Sequence, residues 1–316
     1  DGYKLGLSQF TGKETGIMGM IGKTPQLRVV WIADNIDYYD DVLQGRGDIY
    51  DFEVRREPSS LDNVYDLPLT EDDWTDGSDL IDFTGGIDDK WTALLQDETG
   101  FAYFDKLRQF LAVEAEYCAS LKPRLHIFPR MCEVFNCMRY TPYDAVRVVI
   151  LGQDPYPGCE RGGGGSYACG LSFSPHDGQS LPKSLAVIQG NLLADPHVHW
   201  AKRTQVSLAG WAAQGVLLLN TALTVREGLV ESHLLYWEPF TSGVIAHLSE
   251  HKDFLVFILW GAKAKAKAKL IAARHKVIIG MHPNAPTIGF SSGKFFGATN
   301  AALMSAGYEP IDWNAT

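Results

Sequence analysis

The stretch Val148–Gly158 reads VVILGQDPYPG. Its first four residues are apolar and predict a buried strand, and Gly152 then frees the backbone to turn. An amide, a carboxylate and a phenol follow at once, at Gln153, Asp154 and Tyr156. In open α/β sheets the catalytic and ligand-binding residues lie in such positions, at the carboxyl ends of strands. An ordinary βα loop of a doubly wound sheet is the alternative that this stretch alone leaves open.

Three further short apolar runs follow, and segments with helical features separate them. Strand–helix alternation of this kind is typical of a parallel sheet that is covered on both faces. We therefore predict an α/β fold over residues 88–316, with a central four-stranded parallel sheet flanked by helices. The predicted strands are 147–151, Val216–Leu219, Phe254–Leu259 and Val277–Ile279, and the predicted helices are Phe104–Leu121, Met131–Met138, Pro182–Leu193, Leu208–Ala213, Trp237–Leu248, Ala262–Arg274 and Asn300–Ala306.

Residues 1–87 differ from the rest of the chain in charge and in pattern. They contain 18 acidic and 7 basic side chains, whereas residues 88–316 contain 20 acidic and 21 basic ones. Leu27–Ile32 and Ile49–Val54 are typical of strands, and a stretch rich in Pro, Ser, Asp and Gly follows them. We therefore predict an acidic N-terminal extension, either a small β-rich appendage or a partly disordered tail. It could dock a protein partner, or its negative charge could cover a basic groove of the larger part of the chain.

The composition indicates a globular protein without a membrane span. The 316 residues are 46% hydrophobic and 21% charged, and no apolar run approaches the roughly 18–20 residues that cross a bilayer. The five cysteines are irregularly spaced and include no CxxC pair, so we expect reduced thiols in a nuclear or cytoplasmic protein. A metal or iron–sulfur site is the alternative, although such ligands normally lie closer together. The chain opens at Asp1 without a Met, so an upstream organelle-targeting segment also stays open.

Polar residues follow the predicted strands and should meet at one edge of the sheet. Asp154, Asn220 and His282 follow three of the strands, and the carboxyl ends of parallel strands share an edge. Each has an ordinary alternative: Asp154 could shape a turn, Asn220 could cap the next segment, and His282 could be a loop histidine. Together, an acid, an amide and an imidazole suit a planar polar ring such as a nucleobase. Phe173 could stack on that ring or pack in the core.

Several motifs, in this order and at this spacing, carry a more specific signal. They are GQDPYPG at 152–158, GLSFS at 170–174, LLLNTALTV at 217–225, FILWGA at 257–262 and HP at 282–283, with a framework of PKSL at 182–185, GWA at 210–212, His233, WEPFT at 237–241, FFG at 295–297 and PIDW at 310–313. With these motifs the chain resembles the family-1 uracil-DNA glycosylases. The resemblance runs from about Trp91 to Trp313, about three quarters of the chain.

The resemblance implies an enzyme that flips deoxyuridine out of DNA and hydrolyses its N-glycosidic bond, in base excision repair. A monofunctional hydrolase of this kind would release uracil and leave an abasic site. Asp154 would stabilise the positive sugar and orient or activate the attacking water. His282, as a neutral imidazole, would donate a hydrogen bond to uracil O2 as negative charge builds there. No metal and no cofactor are implied.

By the same resemblance, four other residues would bind the uracil ring. Asn220 would read O4 and N3–H and would reject cytosine, whose exocyclic amine inverts that pattern. Tyr156 would occupy the space of a C5 methyl group and so exclude thymine. Phe173 would stack on the ring, and Gln153 would contribute main-chain contacts.

The DNA backbone would be held by loops around the pocket, and an apolar wedge would support the unstacked duplex. The family wedge is the Leu of the pattern HPSPLS, whereas this chain reads HPNAPTIGF from His282. Pro286 and Ile288 are therefore the candidate wedges, with Phe290 as a third. The predicted backbone contacts are Pro182, Ser184, Gly261, Ala262, Pro283 and Asn284; the lysines at 263, 265, 267 and 269 could form a solvated helix face or contact phosphates.

Two departures from the family pattern and one alternative function stay open. Pro157 stands where a His often follows Tyr156, and an insertion, Cys159–Cys169, comes next. Its glycines, Gly162–Gly165, lack the GxxxxGK[ST] pattern of a phosphate loop, so we predict a mobile surface insertion. A protein that kept the fold and DNA binding but lost turnover is the alternative to an enzyme. We expect a monomer that binds uracil-containing DNA, single- or double-stranded, and no membrane.

Overall fold

The structure, a computed structural model, describes residues 86–97, 100–160, 165–201, 206–284, 290 and 292–315. The acidic extension, with its two predicted strands, lies outside these residues except for positions 86 and 87. Its architecture and its boundary with residues 88–316 therefore remain predictions. Most of the Gly162–Gly165 run and both candidate wedges, Pro286 and Ile288, also lie outside the described residues.

Six strands, eight α-helices and three 3₁₀ turns make up the described part of the chain. The strands are β1 (Ile127–Phe128), β2 (Val148–Gly152), β3 (Val216–Asn220), β4 (Val225–Arg226), β5 (Val256–Trp260) and β6 (Lys276–Gly280). The helices are α1 (Asp89–Asp97), α2 (Gly100–Ser120), α3 (Asn136–Tyr140), α4 (Lys183–Ala194), α5 (Ala209–Ala212), α6 (Leu234–His251), α7 (Ala262–Ala266) and α8 (Phe295–Ser305). The 3₁₀ turns are Met131–Glu133, Tyr143–Ala145 and Lys267–Leu270.

The predicted four-stranded parallel sheet is confirmed. Its order is β3–β2–β5–β6, with every neighbouring pair parallel, and each strand begins and ends within two residues of its predicted bounds. Every residue of β2, β3 and β5 is buried, which explains why these strands are continuous apolar runs rather than alternating ones. At one edge of the sheet, β6 is only partly buried.

The order of the strands creates a crevice at the carboxyl ends of the strands. From β2 the chain proceeds to β3 on one side, and from β5 it proceeds to β6 on the other. The winding direction therefore reverses between the neighbouring strands β2 and β5, and open α/β sheets bind ligands outside the carboxyl ends of such strands. The register pairs Gly152 with Asn220, so the two loops that carry predicted site residues leave the sheet at the same level.

The predicted single helix Met131–Met138 is wrong, because a loop contact interrupts it. The structure has a 3₁₀ turn at Met131–Glu133 and a separate helix α3. The amide of Cys137 donates to the carbonyl oxygen of Gly170 at 3.1 Å, rather than to Glu133 one turn earlier. Gly170 has a φ of +77° and passes so close to Glu133 that an added Cβ would lie 1.8 Å from the Glu133 carbonyl oxygen.

The predicted helix Ala262–Arg274 is also wrong in length. Helix α7 ends at Ala266, and the 3₁₀ turn that follows brings Lys267 into the interior. There the Lys267 ammonium contacts Glu238 and Ser242 of α6. This tertiary contact overrides the helix propensity of the Ala–Lys repeat, and it removes Lys267 from the group of lysines that could contact phosphates.

A small ribbon, β1 with β4, has no counterpart in the sequence prediction. The two strands pair in antiparallel fashion, with Ile127 opposite Arg226 and Phe128 opposite Val225. Strands of two residues are too short to show an alternating pattern, so tertiary packing alone defines them. Among the described residues, no helix has the length and the apolar character needed to cross a membrane.

Candidate active site

An open cavity of about 180 Å³ lies at the carboxyl edge of the sheet. It brings together all the residues that the sequence predicted for catalysis or uracil binding, and their individual roles remain predictions. Those residues are Gln153, Asp154, Tyr156, Phe173, Asn220 and His282, and the cavity is completed by Pro155, Pro157, Ala168, Cys169, Gly170, Leu171, Ser184, Val230 and Asn284.

The carboxylate of Asp154 is fixed by two hydrogen bonds from its surroundings. The Gln153 side-chain amide donates to Oδ1 at 3.1 Å, and the backbone amide of Glu231 donates to Oδ2 at 2.6 Å. Burial raises the pKa of Asp154 to about 6, although both hydrogen bonds act in the opposite direction. Desolvation outweighs them because a buried carboxylate loses most of its hydration. The Asp154 carboxylate is therefore oriented, and it loses its proton near pH 6.

The imidazole of His282 is held in one neutral tautomer. The backbone amide of Asn284 donates to Nδ1 at 3.1 Å, so Nδ1 is the unprotonated nitrogen and Nε2 carries the hydrogen. Burial lowers the pKa of His282 from its usual value, which also favours the neutral ring. Behind the ring, Gly261 has a φ of +91°, and an added Cβ there would lie 3.1 Å from the His282 Cβ. The ring can thus offer an N–H donor at the cavity.

Asn220 is positioned by the pairing of β2 with β3. Its side chain is buried and lies across Gly152, the residue opposite it in the register. The loop that follows is tied back to β2, because the amide of Thr221 donates to the Gly152 carbonyl at 3.0 Å and that of Ala222 to the Gln153 carbonyl at 2.8 Å. These two bonds hold the backbone that carries the Asn220 side chain against the end of β2.

We expect Gly152→Ala to lower the rate of the reaction in this cavity by about 10²-fold, the usual effect of misplacing a reacting group by an ångström. An added Cβ would lie 2.2 Å from the Asn220 Oδ1, so the carboxamide must move. Single-turnover kinetics would measure the loss. Gly190→Ala is the matched control, since nothing lies within 4 Å of a Cβ there. Unchanged kinetics in Gly152→Ala would contradict this account of Asn220.

Phe173 adopts a backbone conformation that is uncommon for a residue with a side chain. Its φ is +62°, in the left-handed region, where such strain persists only if the surroundings hold it. The ring packs edge-on against Trp260 at 5.4 Å between centroids and lies 6.3 Å from the His282 ring. Phe173 is partly exposed, so it forms an aromatic wall of the cavity rather than a core residue.

Tyr156 is held by its hydroxyl group at the wall of the cavity. The hydroxyl donates to the carbonyl oxygen of Phe173 at 2.8 Å, so the Ser184 hydroxyl, also 2.8 Å away, is the donor to the Tyr156 oxygen. The ring packs on Phe128, Cys159, Ala168 and Val225. Ser184 itself is buried, so a hydrogen bond from its hydroxyl to a phosphate would compete with the one to Tyr156.

The other predicted backbone contacts surround the cavity at the starts of helices and in the last loop. Pro182 precedes α4, and Gly261 and Ala262 lie at the start of α7. Ala262 and Asn284 are exposed, whereas Pro283 is buried. Their roles toward DNA remain predictions. Exposure makes Ala262 and Asn284 the better candidates for contact with phosphates.

Phe290 is not a wedge in this structure, contrary to the third candidate from the sequence. Its side chain is 2% exposed and packs against Trp260 and Phe295, with centroids 5.1 and 5.0 Å away. Its carbonyl oxygen accepts a hydrogen bond from the Asn191 side chain at 3.0 Å. Phe290 therefore anchors the end of the last loop in the core.

Sequence reasoning missed a buried hydrogen-bond network that joins α2 to the chain around β4 and the start of α6. Glu114 of α2 is buried, receives two hydrogen bonds from the Arg226 guanidinium and lies 3.2 Å from His233 Nε2. His233 Nδ1 lies 2.8 Å from the Thr224 hydroxyl. A glutamate within a helical pattern gives no sign of this role, because its partners lie more than a hundred residues later.

The described residues contain no cluster of three or more His, Cys, Asp or Glu side chains placed to hold a metal ion. The cavity itself offers a carboxylate, an imidazole, a carboxamide and two aromatic rings.

Comparisons with known proteins identify the family. The family model of the uracil DNA glycosylase superfamily matches residues 138–304. The uracil-DNA glycosylase of Anoxybacillus flavithermus is 45% identical over 227 residues, which cover 71% of this chain and 94% of that protein. The uracil-DNA glycosylase of Desulfitobacterium hafniense is 42% identical over 231 residues, covering 71% of this chain and 95% of the relative.

Solved structures agree with the sequence comparisons. The crystal structure of mimivirus uracil-DNA glycosylase is 30% identical and superposes with a TM-score of 0.66, covering 74% of this chain and 90% of that one. The family model spans more than half of the chain, and the relatives are matched over nearly their whole length. The chain therefore belongs to the uracil DNA glycosylase superfamily, as the motifs predicted.

Proposed function

We propose that this protein is a uracil-DNA glycosylase of base excision repair, which flips deoxyuridine out of DNA and hydrolyses its N-glycosidic bond. The observation that carries the proposal is the cavity in which the Asp154 carboxylate, the neutral His282 imidazole and the Asn220 carboxamide meet. Membership of the superfamily and the names of the relatives support it.

In this reaction the two catalytic groups act on opposite charges. As the glycosidic bond breaks, positive charge develops on the sugar and negative charge on the departing uracil. Asp154, oriented by its two donors, stabilises the sugar and orients the water that attacks it. His282 donates its Nε2–H toward uracil O2, and a preorganised neutral donor of this kind stabilises the anion without moving a proton.

The remaining side chains of the cavity select the base. Asn220 carries both a donor and an acceptor, which match uracil N3–H and O4 and oppose the pattern of cytosine. Phe173 offers an aromatic face for stacking. Tyr156, fixed by its hydrogen bonds to Phe173 and Ser184, fills the space that the C5 methyl group of thymine would need.

The duplex or single strand is held around this cavity without reading its sequence. Ala262, Asn284 and the neighbouring predicted positions contact phosphates, and Pro286 or Ile288 fills the gap that the flipped nucleotide leaves. The acidic extension docks a protein partner, and the enzyme works as a monomer in the nucleus or cytoplasm. The five cysteines are free thiols, which supports a reducing compartment.

A monofunctional hydrolysis predicts a specific set of products. The oxygen of the new C1′ hydroxyl comes from water, and the DNA strand stays intact until alkali cleaves the abasic site. Gel electrophoresis of the oligonucleotide with and without alkali, and borohydride treatment to trap an enzyme–DNA imine, test this. An intact strand that only alkali cleaves, with no trapped adduct, supports hydrolysis, whereas strand cleavage without alkali would indicate a lyase and contradict the monofunctional assignment.

The rate of uracil release should fall as the pH falls through about 6. Burial raises the pKa of Asp154 to about 6, so the carboxylate that the mechanism needs becomes protonated below that pH. Burial lowers the pKa of His282, which favours its neutral ring. A pH profile of the single-turnover rate measures the effect. A profile that stays flat well below pH 6, toward the ordinary carboxyl range, would contradict a buried Asp154 as the working group.

A further inference from the structure

The loop between β4 and α6 contributes a backbone group to the candidate active site. The amide of Glu231 donates to the Asp154 Oδ2 at 2.6 Å. Glu231 has a φ of +63°, a left-handed conformation that is strained for a residue with a Cβ and persists only when neighbours hold it. The contacts that hold Glu231 in this conformation therefore also keep its N–H group on the Asp154 carboxylate.

The side chain of Glu231 is tied to a different element of the fold. Its carboxylate lies 3.6 Å from the ammonium of Lys263, in α7, directly after the loop at the end of β5. The ion pair thus connects the β4–α6 loop with the β5–α7 loop. The Lys263 side chain is half exposed, and that of Glu231 is 29% exposed, so the pair is accessible to solvent while the backbone amide beside it is directed at Asp154.

The two charges also act on Asp154 in opposite directions. After burial and the two hydrogen bonds, the Glu231 carboxylate raises the pKa of Asp154 and the Lys263 ammonium lowers it. The other titratable groups that line the cavity are Tyr156, beside Asp154, and His282, after β6. Neither contributes a charge near neutral pH, because burial raises the pKa of Tyr156 and lowers that of His282.

We propose that Glu231 and Lys263 form a positioning pair for the glycosylase reaction, in which their ion pair holds the Glu231 amide on Asp154 and places two opposite charges near its carboxylate. The inference rests on the proposed function. Neither residue lines the cavity; both act through Asp154. The pair adds a role for the first lysine of the Ala–Lys repeat that differs from phosphate contact.

The proposal predicts shifts of opposite sign in the pH profile. The acid limb is the part of the profile in which the rate falls as the pH is lowered. Glu231→Gln removes a negative charge near Asp154, so the Asp154 carboxyl ionises more easily and the acid limb moves to lower pH. Lys263→Gln removes a positive charge, so the limb moves to higher pH. We expect shifts of a few tenths of a pH unit, because both groups are partly solvated. The plateau rate should fall several-fold in both variants, since the amide is held less firmly.

The experiment measures single-turnover uracil release against pH for the full chain. Lys265→Gln changes an exposed lysine two residues after Lys263 in α7. It controls for the loss of a positive charge and should leave the acid limb in place. Lys263→Arg should restore the wild-type limb. Glu231→Gly accepts a positive φ without strain, so it should shift the limb as Glu231→Gln does, even if Glu231→Gln folds poorly.

The outcomes separate this inference from the proposed function. Opposite shifts with rescue by Lys263→Arg support the positioning pair. Acid-limb shifts in the same direction, or reduced rates with no shift, would overturn it. A purely structural role would lower the rate in both variants without moving their acid limbs in opposite directions. An inactive wild-type protein would instead contradict the proposed glycosylase activity.

Discussion

Asp154→Asn should lower the single-turnover rate of uracil release by about 10²–10⁴-fold, the contribution typical of a positioned acid or base. The substitution keeps the size of the side chain but removes its negative charge. It therefore removes both the stabilisation of the positive sugar and the acceptor that orients water. The donors that now meet Asp154, from Gln153 and Glu231, would face an amide that accepts through one oxygen only.

The loss in Asp154→Asn should occur without a loss of stability. Burial raises the pKa of Asp154 above its usual value, so the ionised carboxylate costs folding free energy at neutral pH, and a neutral amide removes that cost. This gain opposes the cost of the hydrogen bond that one of the two donors loses, so the free energy of unfolding of the variant should stay close to that of the wild type. Asp144→Asn, which changes an exposed carboxylate paired with Lys90, serves as the control. Wild-type rates in Asp154→Asn would exclude Asp154 from catalysis.

Glu114→Gln should destabilise the protein by about 3–5 kcal/mol, because it leaves a buried charge without its partner. The Arg226 guanidinium is buried and donates two hydrogen bonds to the Glu114 carboxylate. It also lies over the Tyr117 ring, 4.7 Å from the centroid, but an aromatic ring cannot replace a carboxylate. Urea unfolding measures the change, and Glu116→Gln, exposed on the same helix, is the control.

A double variant and the pH dependence test the cause of that destabilisation. Replacing Glu114 and Arg226 together by Met should cost less than Glu114→Gln alone, since no charge is left buried. Burial by itself would raise the pKa of Glu114, but Arg226 and His233 outweigh it and lower the pKa to about 2. The pair therefore stabilises the fold above the usual carboxyl range, and this contribution is lost as the pH falls toward 2. Equal stability of Glu114→Gln and the wild type would contradict the network.

The central sheet was predictable because burial on both faces leaves a clear pattern. Val148–Leu151 and Val216–Leu219 are continuous apolar runs. Such runs are typical of strands in a covered parallel sheet or of buried helices, and their short length favours strands. Helix ends were less predictable, since tertiary contacts decide them. Lys267 turns inward to Glu238, and Cys137 bonds to a distant loop, and neither contact has a local signature.

The side chains of the cavity were predictable for a different reason. Asp154, Asn220 and His282 all follow strands, and parallel topology brings strand ends to one edge. Glu231 was missed because it acts through a backbone amide, which every residue except Pro carries. Its positive φ arises from the fold of the loop and not from its own preference, so no sequence pattern announces it.

Release of free uracil from an oligonucleotide containing a single deoxyuridine decides whether this protein has the proposed activity. Chromatography of the released bases, with matched thymine and cytosine oligonucleotides and a metal chelator present, gives the result. We expect the wild-type protein to release uracil alone, and Asp154→Asn and His282→Ala to release it far more slowly. A wild-type protein that binds the oligonucleotide but releases no uracil would contradict it and would identify a DNA-binding protein that retains the fold without turnover.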